Sequence, residues 1–253
     1  MTLPYTQTAS SHGSSSHNFD GSNDAAMVKH KALSGGETAK SLFTPIREGV
    51  FRWSTPDPAD DWMMVGHLFV RETGVVFVDP PMVPGLLEAA RRLGRLEAVL
   101  LTEQNHTRAS RFIAKRAGIP VYLPETIPDA VEPWEAVRVK EIGDFEVYKA
   151  GSVLGFQAYK FGEDYALLSD RKELLVGDNA RGDAKGNVLI FPEWFELYTP
   201  GPPYPAVEDI SKGFRDSLKK QFKDIVKSTG ATSLLASHEY DIIGGLQERA
   251  SSL

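Results

Sequence analysis

The chain has 253 residues, 42% hydrophobic and 25% charged, with 13 Phe and 4 Trp, enough apolar material for one large core and too much for wholesale disorder. Its 28 Lys+Arg against 34 Asp+Glu give a net charge of −6, so there is no global basic field to recruit a phosphate backbone, and nucleic acid is excluded as a main partner. The lack of any cysteine removes disulfides, cysteine-ligated zinc, iron–sulfur clusters and thiol nucleophiles together, which leaves a metal to be held by His and carboxylate.

The first 26 residues hold six Ser, three Thr and two Asn, no Lys or Arg, and no periodicity. That composition predicts a disordered tail over residues 1–40, an added leader or a natural extension, with Met27 a second start. Two histidines, His12 and His17, read as part of a solvated tract. A basic, apolar secretory signal and an arginine-rich presequence are both missing from this segment, so a cytoplasmic location is expected. Apolar runs such as Val75–Val78 and Ala98–Leu101 fall far short of the ~20 residues that cross a bilayer, and no membrane partner is expected.

From residue 46 onward the pattern is dense and predicts a single domain to residue 253, without internal repeats. Gly49–Ser54, Met63–Val70 and Val75–Asp79 read as strands, with Thr73-Gly74 a tight turn between the last two. Pro84 opens a helix that buries Leu86, Leu87, Ala90 and Leu93 and ends at Gly94. Glu97–Thr102 is a buried strand, Arg108–Ala117 a helix with Phe112, Ile113 and Ala117 inward, and Pro120–Leu123 another strand. Strands are then expected at 136–142, 145–150, 156–161, 165–169 and 173–176, mostly antiparallel.

Residues 179–208 contain five prolines and five aromatics (Phe191, Trp194, Phe195, Tyr198 and Tyr204). A long aromatic loop of this kind reads either as a lid beside a cleft or as a cover on a sheet edge. Ile210, Phe214, Leu218, Phe222 and Ile225 then mark an amphipathic helix ended by Gly230, and Ser233–Ser237 is the last strand. Two halves that each run from sheet into helix predict an α/β fold with four layers, an αβ/βα sandwich.

The polar chemistry clusters just after apolar strands: Asp79, the run from Thr102 through Glu103, His106 and Arg108, then Gly177-Asp178-Asn179, and Ser237-His238-Glu239. Carboxyl ends of strands are where layered α/β folds converge on a ligand. Over residues 46–245 this order resembles the metallo-β-lactamase fold family, in which strands end in Asp, then Thr-His-x-His-x-Asp-His, then Gly-His, Gly-Asp and a last His. Val75-Val76-Phe77-Val78-Asp79, Leu100-Leu101-Thr102, Leu174-Leu175-Val176-Gly177-Asp178 and Leu234-Leu235-Ala236-Ser237-His238 carry the resemblance.

The central motif departs from the family's pattern. Its two leading histidines fall on Glu103 and Asn105, its Asp on Thr107 and its third His on Arg108, while the later Gly-His falls on Gly151-Ser152. Thr and Asn are poor zinc ligands, and a guanidinium offers no lone pair. The resemblance, with these departures, implies a decayed metal centre and no resident cofactor, in a protein that binds a small, potentially anionic ligand or serves a non-catalytic role. The ligand-lining candidates are Asp79, Glu103, His106, Arg108, Ser152, Asp178 and His238. The alternative is a hydrolase with one divalent metal such as zinc or manganese on Glu103, Asp178 and His238, those three being the catalytic candidates and His106 a fourth donor.

Arg108 is expected either to pair with Asp178, supplying a covalent cation in place of a metal, or to clamp an anionic ligand. Ser152, Asp178 and His238 would make a serine triad if they met at one mouth. His67 alternates with Met63, Val65 and Phe69 and reads as a sheet-face histidine. Arg181-Gly182-Asp183 spells an adhesion tripeptide of the sort that arises by chance.

Overall fold

The computed structural model describes residues 42–58, 62–125, 141–191, 193 and 212–253. The first sheet has seven strands in chain order: β1 (Thr44–Arg47), β2 (Val50–Pro56), β3 (Met63–Val70), β4 (Val75–Val78), β5 (Leu96–Leu100), β6 (Val121–Pro124) and β7 (Phe145–Tyr148). β1 to β4 pair antiparallel as a meander, and β4 to β7 pair parallel. Parallel pairs need crossovers, which α1 (Leu86–Arg91) supplies for β4–β5 and α2 (Ser110–Ala117) for β5–β6.

The second sheet comprises β8 (Gly151–Val153), β9 (Phe156–Phe161), β10 (Asp164–Leu168), β11 (Glu173–Val176) and, beyond a small hairpin, β14 (Ser233–Ala236). Its spatial order is β14-β11-β10-β9-β8. The hairpin is β12 (Ala180–Gly182) with β13 (Val188–Ile190), and the helices are α3 (Lys212–Thr229) and α4 (Leu246–Ser251). β14 lies parallel to β11, with Val176 opposite Ala236, so the two strand ends that lead into Asp178 and His238 stop side by side.

Period-2 alternation in fully apolar strands builds the layers. Val75, Phe77, Val99 and Leu101 point to one side and pack with Leu86, Leu87, Ala90 and Ile113 of α1 and α2. Their neighbours Val76, Val78 and Leu100 point the other way, onto Phe156, Leu167, Leu175 and Leu235 between the sheets. Leu174, Val176, Leu234 and Ala236 face α3 and α4 through Leu218, Phe222 and Leu246. Helix, sheet, sheet and helix make the expected αβ/βα sandwich. No helix among the described residues is long and apolar enough to cross a membrane.

Several sequence expectations need correction. The helix expected over Arg108–Ala117 is present but starts later, as α2 from Ser110, and a single turn of 3-10 helix, Gln104–Thr107, precedes it. Phe112 and Phe214, both expected inward, are exposed, because each falls at the edge of its helix's apolar stripe. Of the strand expected at 136–142, residues 141 and 142 are described and are helical. Residues 180–190, expected to be irregular, form the β12–β13 hairpin, whose Ala180, Val188 and Ile190 are buried in the outer core with α3. Trp194, Phe195, Tyr198 and Tyr204, the 1–40 tail and the rest of the proline-rich segment lie outside the described residues.

Candidate functional site

The site forms where β4, β5, β11 and β14 end together. Asp79, one residue past β4, is 1% exposed and takes a left-handed backbone with φ 44°. Its carboxylate accepts the backbone N–H of Thr102 at 2.9 Å and the Thr102 hydroxyl at 2.5 Å, and also the Ser237 hydroxyl. Asp79 therefore ties the ends of β4, β5 and β14 together and is a bracket for the site. Burial would push its pKa up, but the His106 ring, the Arg108 guanidinium and the Ser237 hydroxyl hold it down at about 2.

The 3-10 turn after β5 swings His106 inward. Its Nε2 stands 2.6 Å from Glu103 Oε1 and 3.3 Å from Asp178 Oδ1, and its Nδ1 stands 3.3 Å from Asp79 Oδ2. Burial would lower its pKa, as would Arg108, yet the carboxylates of Glu103, Asp79 and Asp178 raise it well above the ordinary histidine value. His238, at the end of β14, directs Nδ1 at the Met63 carbonyl, 3.2 Å away, and receives an N–H from Arg108 on Nε2 at 3.0 Å. Arginine only donates, so Nε2 carries the lone pair and Nδ1 the proton. Burial keeps this ring below the usual histidine range.

His106 Nε2, His238 Nε2 and Asp178 Oδ1 form a triangle with sides of 3.3, 3.3 and 3.1 Å. Donors held ~2.0–2.1 Å from a tetrahedral centre stand ~3.3–3.4 Å apart, so the triangle has the size of one face of such a site. The charge balance points the same way. The carboxylates of Asp79, Asp178, Glu103 and Asp57 all act on the Arg108 guanidinium, and burial with Asp178 raises Glu103 while burial with Glu103 raises Asp164 well above a normal carboxylate. Glu103 Oε1 and His106 Nδ1, both buried, have close opposite charges but no hydrogen bond of good geometry. These residues fit one divalent cation.

Arg108 feels the charge of Asp178, but the hydrogen bonds of its guanidinium go elsewhere. It also has a left-handed backbone, with φ 33°. Nη1 donates to the carbonyls of Val65 and Asp79, both at 3.0 Å, and Nη2 to the carbonyl of Ser237 at 3.3 Å as well as to His238. With its Nη protons used in this way, the guanidinium staples β3, β4 and β14 and is not posed as a ligand clamp. Asp178 is instead held by the two histidines and by Asn105 Nδ2 at 3.5 Å, and its pKa lies well below the usual carboxylate range despite burial, because both rings face it.

Of the expected residues, Asp79, Glu103, His106, Arg108, Asp178 and His238 come together and Ser152 does not. Ser152 is exposed on β8, the opposite edge of the second sheet from β14. Four strand spacings of ~4.8 Å, about 19 Å in all, separate it from His238, so no serine triad forms. Of the expected donors Glu103, His106, Asp178 and His238, the last three have ligand atoms that all lie within 4.8 Å of one another, and Glu103 stands beside them against His106. Sequence reasoning also missed Asp164, hydrogen-bonded to Glu103 and to Asn179 Nδ2 at 3.0 Å, and Trp62, whose ring meets that of His238 edge-on at 5.5 Å. Nothing in a hydrophilic turn or a lone Trp singles out either one.

A profile described as the metallo-beta-lactamase superfamily matches residues 39–197. The chain belongs to that superfamily. Among solved metallo-β-lactamase structures, DIM-1 covers 83% of this chain and 95% of its own at 12% identity, with a TM-score of 0.55. The enzyme from Hirschia baltica shares 12% identity over 83% of this chain and 95% of its own, TM-score 0.54. A metallo-β-lactamase family protein from Thermus thermophilus shares 17% over 82% and 79%, TM-score 0.53. At such identities the likeness is one of fold. No curated protein sequence matches.

Proposed function

We propose that this metallo-β-lactamase-fold protein is a hydrolase of small-molecule substrates that works with a single divalent metal on His106, Asp178 and His238. The observation that carries the reading is the 3.1–3.3 Å triangle of those three donor atoms. A metal bound there would polarise a substrate oxygen and lower the pKa of a bound water. A pair of metals would take about eight donors, and the cluster offers His106, Asp178 and His238 with Glu103 beside them.

The chain's own residues have separable tasks in this scheme. Glu103, whose pKa is raised by burial and by Asp178, stands 2.6 Å from His106 Nε2, where Oε1 can accept or return a proton. His238 is kept in the Nδ1–H tautomer by Met63 O, which leaves Nε2 free of a proton. Trp62 packs its ring edge-on against that of His238 at 5.5 Å.

A second reading has its own support: Arg108 Nη2 occupies the lone pair of His238 Nε2 at 3.0 Å, which favours a metal-free cleft that binds a ligand without turnover. One experiment separates them. Protein purified without chelator is assayed for metal content, titrated with zinc and manganese, and offered ester, thioester, lactam and phosphoester substrates. The hydrolase reading expects one metal per chain, lost in His106→Ala and His238→Ala, and turnover that follows metal content. No uptake at millimolar zinc, with no turnover, establishes the metal-free alternative.

A further inference from the structure

Outside the cluster, a second buried charged group sits behind the turn that carries His238. Asp241, 6% exposed, accepts the backbone N–H of Ala236 on Oδ1 at 2.9 Å. One carboxylate thereby closes the turn through Ser237, His238, Glu239 and Tyr240. The same carboxylate meets His67 Nε2 at 3.2 and 3.3 Å and Arg52 Nε at 3.6 Å. Arg52 and His67 are a cross-strand pair, directly opposite each other on β2 and β3, so adjacent side chains on one sheet face hold Asp241 together.

The turn needs such a hold. Glu239 sits at φ 55°, a conformation that is unfavourable for a non-glycine residue and persists only where its surroundings enforce it. Its contacts include Arg52 Nη2 donating to the Glu239 carbonyl at 3.0 Å, Glu239 Oε1 accepting the Met63 N–H at 2.9 Å, and the Glu239 N–H donating to the Met63 carbonyl at 3.3 Å. Met63 is also the residue whose carbonyl sets the His238 tautomer. Beyond the turn, Leu234 and Ile242 exchange backbone hydrogen bonds at 2.8 Å, so Asp241 sits where the chain folds back on itself.

We propose that Asp241, braced by Arg52 and His67, is a positioning residue that fixes the turn presenting His238 Nε2 to the cluster. It touches neither the ring nor the other two donors and acts through the backbone. Burial alone would raise the Asp241 carboxyl, but the Arg52 guanidinium, the His67 ring and the Ala236 N–H keep it lowered and charged. The inference rests on the reading of His238 as a metal ligand, and its test has an arm that does not.

The experiment compares wild type with Asp241→Asn, which keeps volume and loses charge, and with Glu173→Gln as a control for plain destabilisation. Glu173 is buried with Arg47 at 2.9 Å at the far end of β11 from Asp178. Co(II) affinity is read from visible absorption, and the ordering of the His238 ring from its nitrogen-coupled proton spectrum in metal-free protein. Asp241→Asn should bind Co(II) about tenfold more weakly or worse and show broadened or multiple His238 signals. Glu173→Gln, at comparable loss of Tm, should change neither. Unchanged Co(II) affinity with one sharp set of His238 signals in Asp241→Asn overturns the proposal. If wild type takes up no Co(II), the metal reading fails by itself and the ring signals alone decide the positioning role. Should Asp241→Asn not fold, Arg52→Met, which removes a partly exposed side chain, replaces it with the same expected outcomes.

Discussion

Asp178 Oδ1 lies 3.1 Å from His238 Nε2, and the proton that would make this a hydrogen bond is on the far side of the ring, facing Met63 O. Two acceptor atoms thus approach each other, the nitrogen also taking an N–H from Arg108, with His106 Nε2 3.3 Å from each. A cation between them resolves the contact. At His106 that cation competes with a proton, since its carboxylate neighbours raise its pKa well above the ordinary value. Protonated below that raised pKa, the ring cannot ligate. Metal affinity should therefore climb with pH through the ordinary histidine range and level off only above it, with proton release on binding. Calorimetry in two buffers of different ionisation enthalpy measures the release. Identical apparent enthalpies across that range would contradict it.

Arg108→Ala should destabilise the fold by about 2–4 kcal/mol, because the carbonyls of Val65, Asp79 and Ser237 lose a charged donor at once. Arg108→Lys, with the charge but not the fork, should recover only part of this. Denaturant melts of both variants decide it, and an unchanged midpoint for Arg108→Ala would show that the staple contributes nothing.

In chelator-treated protein, Asp79 should contribute an acid-labile part of stability. Its pKa is lowered from 3.8 to about 2 in the folded state, so its stabilisation is complete above the unfolded value near pH 4 and is lost as pH falls through about 2. The linked free energy is on the order of 2 kcal/mol. Asp79→Asn should be less stable than wild type at neutral pH, with the gap closing toward pH 2. A gap that is constant with pH would assign the bracket's effect to hydrogen bonding alone.

Gly177→Ala should be harmful although its backbone needs no special conformation. A Cβ there would lie 2.7 Å from Glu103 Cδ and Oε2 and 2.9 Å from Thr102 Oγ1. Relief requires Glu103 to leave the hydrogen bond it accepts from Asp178 N at 3.2 Å. A loss of ~1–3 kcal/mol is expected, together with a shift in the pH profile of any turnover. A variant with wild-type melting and profile would mean that Glu103 can vacate its place freely.

The layers were legible because they follow from alternation. Val75–Val78, Leu174–Val176 and Ser233–Ala236 are apolar on both faces, and such strands must be covered twice. Strand-end polar residues then told where Asp79, Asp178 and His238 would gather. What the sequence could not show was orientation past a strand end. Laying the family's motif on Thr102–Arg108 without gaps put the weight on Glu103 and left His106 a fourth donor, whereas the 3-10 turn at Gln104–Thr107 rotates His106 into the cluster. Arg108 was read as a partner for the nearest unmatched charge. Its left-handed backbone sends the guanidinium to three carbonyls, and backbone acceptors leave no mark in a pattern of side chains. Ser152 was placed by counting from a glycine, and a single edge strand carried it to the wrong side of the sheet.

The parallel register of β14 on β11 has a consequence for the order in which the chain matures. Glu173–Val176 and Ser233–Ala236 are far apart in sequence, with α3 lying between them in the chain. During synthesis, Asp79, His106 and Asp178 leave the ribosome ahead of His238, so the carboxylates of Asp79 and Asp178 lack the Ser237 and His238 partners they have in the finished fold. The apolar edge of β11 stays open for the same interval. Docking of the carboxy-terminal segment closes both at once, which makes that segment the cooperative switch between an unfinished chain and a complete site, and the place where truncation or slow translation would expose the protein to aggregation.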